Sequence, residues 1–225
     1  MKNINNKYLL IIVFIYMINM KGKNNGEIMN VVISGASGVG KGTIIKKILD
    51  DKIGVKNISY TTRNIRKGEK DGRDYNFINE KTFKLLEKNN YFFETIEYAG
   101  NLYGIPFINS NETSNNIVFY DVVASSGLNL KKYYNDTILI YLLPPNLEEL
   151  NKRRGNRGNN RIFDDSVEFK NIIDYDYIII NDNIEKTYKE ILSIIKINMK
   201  YSIRNNMNII NQFNTDLSFA KKLVM

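Results

Sequence analysis

A chain of 225 residues with 43% hydrophobic content is long enough to bury one sizeable core and gives one domain or at most two. It has no cysteine and no histidine, which excludes disulfides, thiolate and imidazole metal sites, thiol nucleophiles and histidine acid/base catalysis, and leaves chemistry done by positioning and electrostatics. The formal net charge of +8 suits a polyanionic partner, but the basic residues are spread out with no aromatic-interleaved stripe, so no nucleic-acid partner is expected. A nucleotide phosphate needs only a few cations.

In chain order, residues 1–28 read as a leader. Tyr8 to Ile18 is almost wholly apolar behind Lys2 and Lys7, like a secretory signal or short anchor. It falls short of the roughly 20 residues that span a bilayer, and no clean small-residue cleavage site follows. A cytoplasmic protein is expected, with organelle targeting or membrane association through residues 8–18 as the alternative. From Met29 onward, strand and helix patterns alternate, the signature of a parallel sheet covered on both faces. Strands are predicted at Val31 to Ser34 and Asn57 to Tyr60, with a helix over Thr43 to Leu49 between them. The character then changes to charged turns, the alternating run Asp74 to Ile78, a helix over Glu80 to Lys88 and a strand over Tyr91 to Tyr98: an inserted, partly antiparallel subdomain. Alternation resumes with strands at Ile117 to Val122, Thr137 to Leu142 and Tyr177 to Ile180. Helices fall near Ser126 to Tyr133, Leu147 to Arg154 and Ile184 to Ile197. This reading assigns a core to 29–60 and 117–198, an insert to 61–116, a lid to about 155–164, and an Asn-rich, weakly ordered tail to 199–225.

The chemistry-bearing motif follows the first strand: Gly35-Ala36-Ser37-Gly38-Val39-Gly40-Lys41-Gly42-Thr43. Its glycines let the backbone turn so that successive N–H groups face phosphate oxygens, while the next helix presents its positive end. Lys41 would reach the transferring phosphate. Gly42 stands where a Ser or Thr directly after the lysine commonly binds Mg²⁺, and Thr43 comes next. Gly-Lys-Gly-Thr resembles the loop of nucleoside monophosphate kinases, in which ATP-bound Mg²⁺ can be held largely through water and phosphate oxygens.

A kinase needs an acceptor site. In the run Thr61-Thr62-Arg63-Asn64-Ile65-Arg66-Lys67-Gly68-Glu69, followed by Asp74-Tyr75-Asn76-Phe77, two arginines three apart and a tyrosine can clamp one phosphate with forked guanidinium donors and a phenol. These residues resemble the nucleotide-binding segment of guanylate kinases, and the resemblance extends from about Val31 to Lys196. It implies an α/β fold of the P-loop NTPase type: a parallel sheet with helices on both faces, an inserted GMP-binding subdomain and a short lid. It further implies ATP-dependent phosphorylation of GMP, with dGMP accepted as well. Arg63, Arg66, Tyr75 and Tyr103 would contact the GMP phosphate, while Ser59 and Glu94 would read the guanine. Glu97 competes with Glu94 by proximity. Arg153, Arg157 and Arg161 would come over the ATP phosphates, Asn181 would lie near the adenine, and Asp121 and Thr43 would take the metal side. Two departures from the family pattern bear on base selectivity: Val123 stands where a second Asp is usual, and Ile105 where a small hydroxyl residue is. The alternatives are an interaction module that keeps the fold without turnover, against which the retained Lys41 argues, and a monophosphate kinase of relaxed base preference.

Overall fold

The computed structural model describes residues 28–98, 100–108, 117–155 and 172–204. The chain forms two compact units, one ending at Asn181 and one beginning at Asp182.

The first unit is built on a five-stranded, all-parallel sheet in the order β2-β7-β1-β8-β9. Its strands are β1 (Met29–Gly35), β2 (Val55–Lys56), β7 (Ile117–Asp121), β8 (Thr137–Leu143) and β9 (Tyr177–Ile180). Central strands β1, β7 and β8 are runs of Val, Ile, Leu, Phe and Tyr buried at nearly every residue, as a sheet covered on both faces requires. Helix α1 (Lys41–Asp50) packs across β1, β2 and β7, and α3 (Ala124–Tyr133) across β1 and β8. One face of the sheet joins Val32, Val118, Tyr120, Leu139 and Tyr141 to Ala124 and Leu130 of α3 in a continuous core. Within it the Tyr175 hydroxyl lies 2.8 Å from Ser34 Oγ and 3.1 Å from the Ala124 carbonyl, and Ser34 Oγ donates to Val122 O at 2.7 Å. That buried chain of polar groups fixes where α3 starts, at the end of the strand that carries Asp121. Helix α4 (Leu147–Arg154) follows β8 and is capped by Asn146, whose side chain accepts from Glu149 N.

The insert is a second, four-stranded sheet in the order β4-β3-β6-β5, made of β3 (Tyr60–Thr61), β4 (Asn76–Phe77), β5 (Phe92–Tyr98) and β6 (Asn101–Pro106). Only β3 and β4 pair in parallel. Helix α2 (Glu80–Lys88) covers one face, with Phe83 and Leu86 against Phe92.

Two expectations are corrected. Asn57 to Tyr60 is not one strand. The chain leaves the core sheet after Lys56 and enters the insert's sheet at Tyr60, with Asn57 N donating to Phe119 O and Asn57 Nδ2 to Pro106 O at the crossing. The alternating run Asp74 to Ile78 contributes only Asn76 and Phe77 to a strand. Strand β6 went unforeseen because Gly104 and Pro106 weaken its propensity. Gly104 is required there, since a Cβ would stand 2.7 Å from the Phe92 ring.

The second unit is described through helix α5 (Ile184–Arg204), whose start is capped by Asn183 Oδ1 accepting from Lys186 N. Thr187, Tyr188, Ile191 and Ile195 are buried at helical spacing. The helix runs past Ile197 because no Gly or Pro interrupts it. Among the described residues, no helix is long and apolar enough to cross a membrane. The leader, most of the lid and the tail beyond Arg204 lie outside the described residues.

Candidate active site

The loop between β1 and α1 is organised by what its carbonyls do. Lys41 Nζ donates to Gly35 O at 2.6 Å and Ala36 O at 3.4 Å. Ser37 O accepts from Arg154 Nε of α4 at 2.6 Å, and Val39 O from the buried Asn181 side chain at 2.8 Å. Gly40 O accepts from Thr43 N and Ile44 N in the first turn of α1. A loop whose carbonyls are engaged from outside keeps its remaining N–H groups for an anion, which the positive end of α1 also favours. Gly40 makes this turn possible: its φ is 109°, it occupies the N-cap of α1, and no side chain caps the helix there. Gly38 has φ 89°, and a Cβ on it would stand 2.9 Å from Arg154 Cγ.

The second cluster comes from the insert. Arg63 forms a two-pronged pair with Glu69, Nη1 to Oε2 at 3.0 Å and Nη2 to Oε1 at 2.8 Å, and its guanidinium lies over the rings of Tyr75 and Phe77. Glu69 Oε2 also accepts from Arg66 N at 2.8 Å. Burial alone would push the Glu69 carboxyl up, but the hydrogen bonds from Arg63 and Arg66 N hold it below the usual carboxylate range. Burial, and next the charge of Asp121, push the Tyr75 phenol up, so it stays protonated and able to donate. Tyr103 meets Tyr75 edge to face at 5.9 Å.

One cavity of about 800 Å³ is lined by both clusters. It brings together Gly35, Ser37, Gly38, Gly40, Lys41, Gly42 and Thr43 of the loop with Ser59, Arg63, Arg66, Tyr75, Tyr103, Asp121 and Arg153. Seven basic side chains line it against four acidic ones, a balance suited to several phosphate charges at once. Three of those cations, Lys46, Lys56 and Arg73, carry no signal in the sequence, because their place depends on tertiary folding alone. Lys56 Nζ is held by Asp74 O at 2.8 Å.

The family model for guanylate kinase matches residues 28–198. The chain belongs to the guanylate kinase family. It is accordingly a nucleoside monophosphate kinase. The chain is 38% identical over 176 residues to a guanylate kinase of Prochlorococcus marinus subsp. pastoris, covering 74% of this chain and 96% of that protein. A second guanylate kinase from that species is 35% identical over the same extent. The crystal structure of guanylate kinase from Anaplasma phagocytophilum superposes with a TM-score of 0.63 at 28% identity, covering 76% of this chain and 87% of that one.

Several residues carried over from the guanylate kinase pattern sit elsewhere than expected. Asn181 and Val39 do not line the cavity; both are buried, and Asn181 supports the loop from behind. Glu94 does not line it either. Its Oε1 accepts from Asn129 Nδ2 of α3 at 2.6 Å, and its Oε2 is buried with no hydrogen-bond partner among the described residues. Glu97, its competitor, is exposed and pairs in register with Leu102. Arg153 lines the cavity while donating to Glu149 Oε1 at 2.9 Å and Asn181 O at 3.1 Å. Its neighbour Arg154, not singled out in the sequence, is buried at 4% exposure and holds the loop. Val123 and Ile105 line the cavity, as does Ser126, which the sequence did not mark. Arg157 and Arg161 lie outside the described residues.

Proposed function

We propose that the cavity binds ATP at the β1–α1 loop and a guanosine monophosphate on the insert, and that the terminal phosphoryl group passes directly between them. The observation that carries this is the shared cavity: an anion-binding loop and a forked arginine–tyrosine clamp face one space, as two phosphate-bearing substrates require. The reaction is that of the family, ATP + GMP to ADP + GDP. An oxygen of the GMP phosphate forms the new bond to the γ-phosphorus as the bond to the ADP bridging oxygen breaks. The protein supplies no covalent intermediate. Lys41 leaves the Gly35 and Ala36 carbonyls for the transferring phosphate, and Arg153 adds charge from α4. Such cations stabilise negative charge that develops during transfer. Arg63, Arg66, Tyr75 and Tyr103 hold the acceptor phosphate, with Ser59 toward the base; Glu94, drawn to Asn129, would have to turn to join it.

A magnesium ion accompanies ATP in this family. Asp121 and Thr43 on the cavity wall offer the hard oxygen donors it prefers, and together with phosphate oxygens and water they fit it. When bound, it neutralises phosphate charge.

The test is a coupled measurement of ADP formation with GMP, dGMP, AMP and UMP, with Lys41→Ala as control. Turnover with GMP that falls at least about a thousandfold in the variant is the expected result. Absence of ADP with every acceptor would refute the reading and favour an interaction module.

A further inference from the structure

The residues proposed to grip the acceptor phosphate all belong to the insert, so their placement against the β1–α1 loop depends on contacts that cross between the two sheets. Tyr75 ends the loop between β3 and β4, just before Asn76. That loop is knit to itself. Asp74 Oδ2 accepts from Lys70 N and from Arg73 Nε, both at 2.8 Å, Arg73 Nη2 donates to Gly68 O at 2.9 Å, and Gly72 N donates to Tyr75 O at 2.9 Å. Such bonds give the loop a shape without giving it a position.

A position is supplied from the core by Lys56. It is the last residue of β2, an outer strand of the core sheet, and is held in register opposite Phe119 of β7. Its Nζ donates to Asp74 O at 2.8 Å and stands 5.5 Å from the centroid of the Tyr75 ring. Asp74 O is the carbonyl of the peptide that leads into Tyr75, so one ammonium holds both the backbone and the ring of that tyrosine. The Arg63 guanidinium lies 5.5 Å from the same centroid. One cation from the insert and one from the core therefore address a single ring, whose electron-rich face attracts both.

Local charge gives the ammonium a second effect. Asp121 ends β7, the strand beside β2, and its charge acts on the Tyr75 phenol. A phosphate brought to that phenol meets a carboxylate of like sign. Lys56, half-buried on the wall of the same cavity, offsets it.

We infer that Lys56 is a positioning residue for the acceptor: it ties the Tyr75 phenol to the core sheet and sets it, with its charge balanced, where a monophosphate docks. The inference rests on the proposed GMP reading and adds to it a residue from outside the insert.

The experiment measures kcat and both KM values in the wild-type chain, in Lys56→Met and in Lys56→Arg. Methionine keeps the length of the stem on β2 and removes the ammonium; arginine restores the charge and a donor. Loss of a charged hydrogen bond together with a cation–π contact is expected to raise KM for GMP about tenfold in Lys56→Met, with kcat and KM for ATP within about threefold. In Lys56→Arg, KM for GMP is expected within about threefold of wild type. An unchanged KM for GMP in Lys56→Met overturns the inference, as does an equal rise in both KM values, which marks general loosening of the fold. Arginine as damaging as methionine overturns it as well, since charge would then play no part. Absence of ADP formation with GMP in the wild-type chain would instead strike the functional reading beneath, and the inference with it.

Discussion

Arg154→Met tests the view that the phosphate loop is held from behind. Methionine keeps most of the stem that packs against Gly38 and removes the guanidinium that donates to Ser37 O at 2.6 Å. A hydrogen bond from a charged group contributes about 1.5–3 kcal/mol, and a domain of this size loses about 2–4 °C of Tm per kcal/mol, so a fall of roughly 3–12 °C is expected. The kinetic signature is sharper. If about 1.4 kcal/mol of that energy orders the loop for ATP, KM for ATP rises about tenfold, while KM for GMP, which we propose binds on the insert, stays within about twofold. Thermal unfolding followed by tryptophan-independent far-UV dichroism gives the first quantity, since the chain has no tryptophan. A coupled ADP assay gives the second. If both KM values rose together, or neither moved, Arg154 would be a packing residue and the loop would be ordered by other means.

Three further outcomes follow from the same geometry. Glu69 has a native pKa below its unfolded value, so its pair with Arg63 stabilises fully above the ordinary carboxylate range and is lost as pH falls through the lowered value. The Glu69→Gln variant should therefore lose less of its urea midpoint than wild type between about pH 5 and pH 2; an equal loss would refute the pairing. Gly42→Ala meets nothing within 4 Å and replaces a poor helix former in α1 by the best, so unliganded stability should rise by a few tenths to about 1 kcal/mol in urea unfolding. By contrast, a Cβ on Gly127 would stand 2.4 Å from the Tyr175 hydroxyl, which is tied to Ser34 and Ala124. Gly127→Ala should cost about 1–3 kcal/mol by denaturation, and a neutral result would show that Tyr175 moves freely.

What the sequence made legible was whatever rests on local rules. Helices Glu80–Lys88 and Leu147–Arg154 lie where their patterns put them, each opened by an asparagine whose side chain accepts from the backbone three residues on. The β1–α1 loop and the Arg63–Tyr75 pair, which line one cavity, were readable as a group because each is defined by short-range spacing. Orientation was not. Nothing local tells Arg153 from Arg154, yet one lines the cavity and the other is buried under the loop. Glu94 is aimed by a partner 35 residues away, and Asn181 by a carbonyl 142 residues away, so both roles depend on packing that no short window contains.

The pairing of Arg63 with Glu69 has a consequence for the empty enzyme. A carboxylate already occupies both prongs of the guanidinium and, through Arg66 N, steadies the backbone that carries the second arginine. Glu69 thus acts as an internal template. The rotamer freedom that a bare arginine would surrender on meeting its substrate, about 0.5–1.5 kcal/mol for such a side chain, is surrendered during folding instead. In the binding mode we propose, an arriving monophosphate exchanges one anion for another at a fork that is already set.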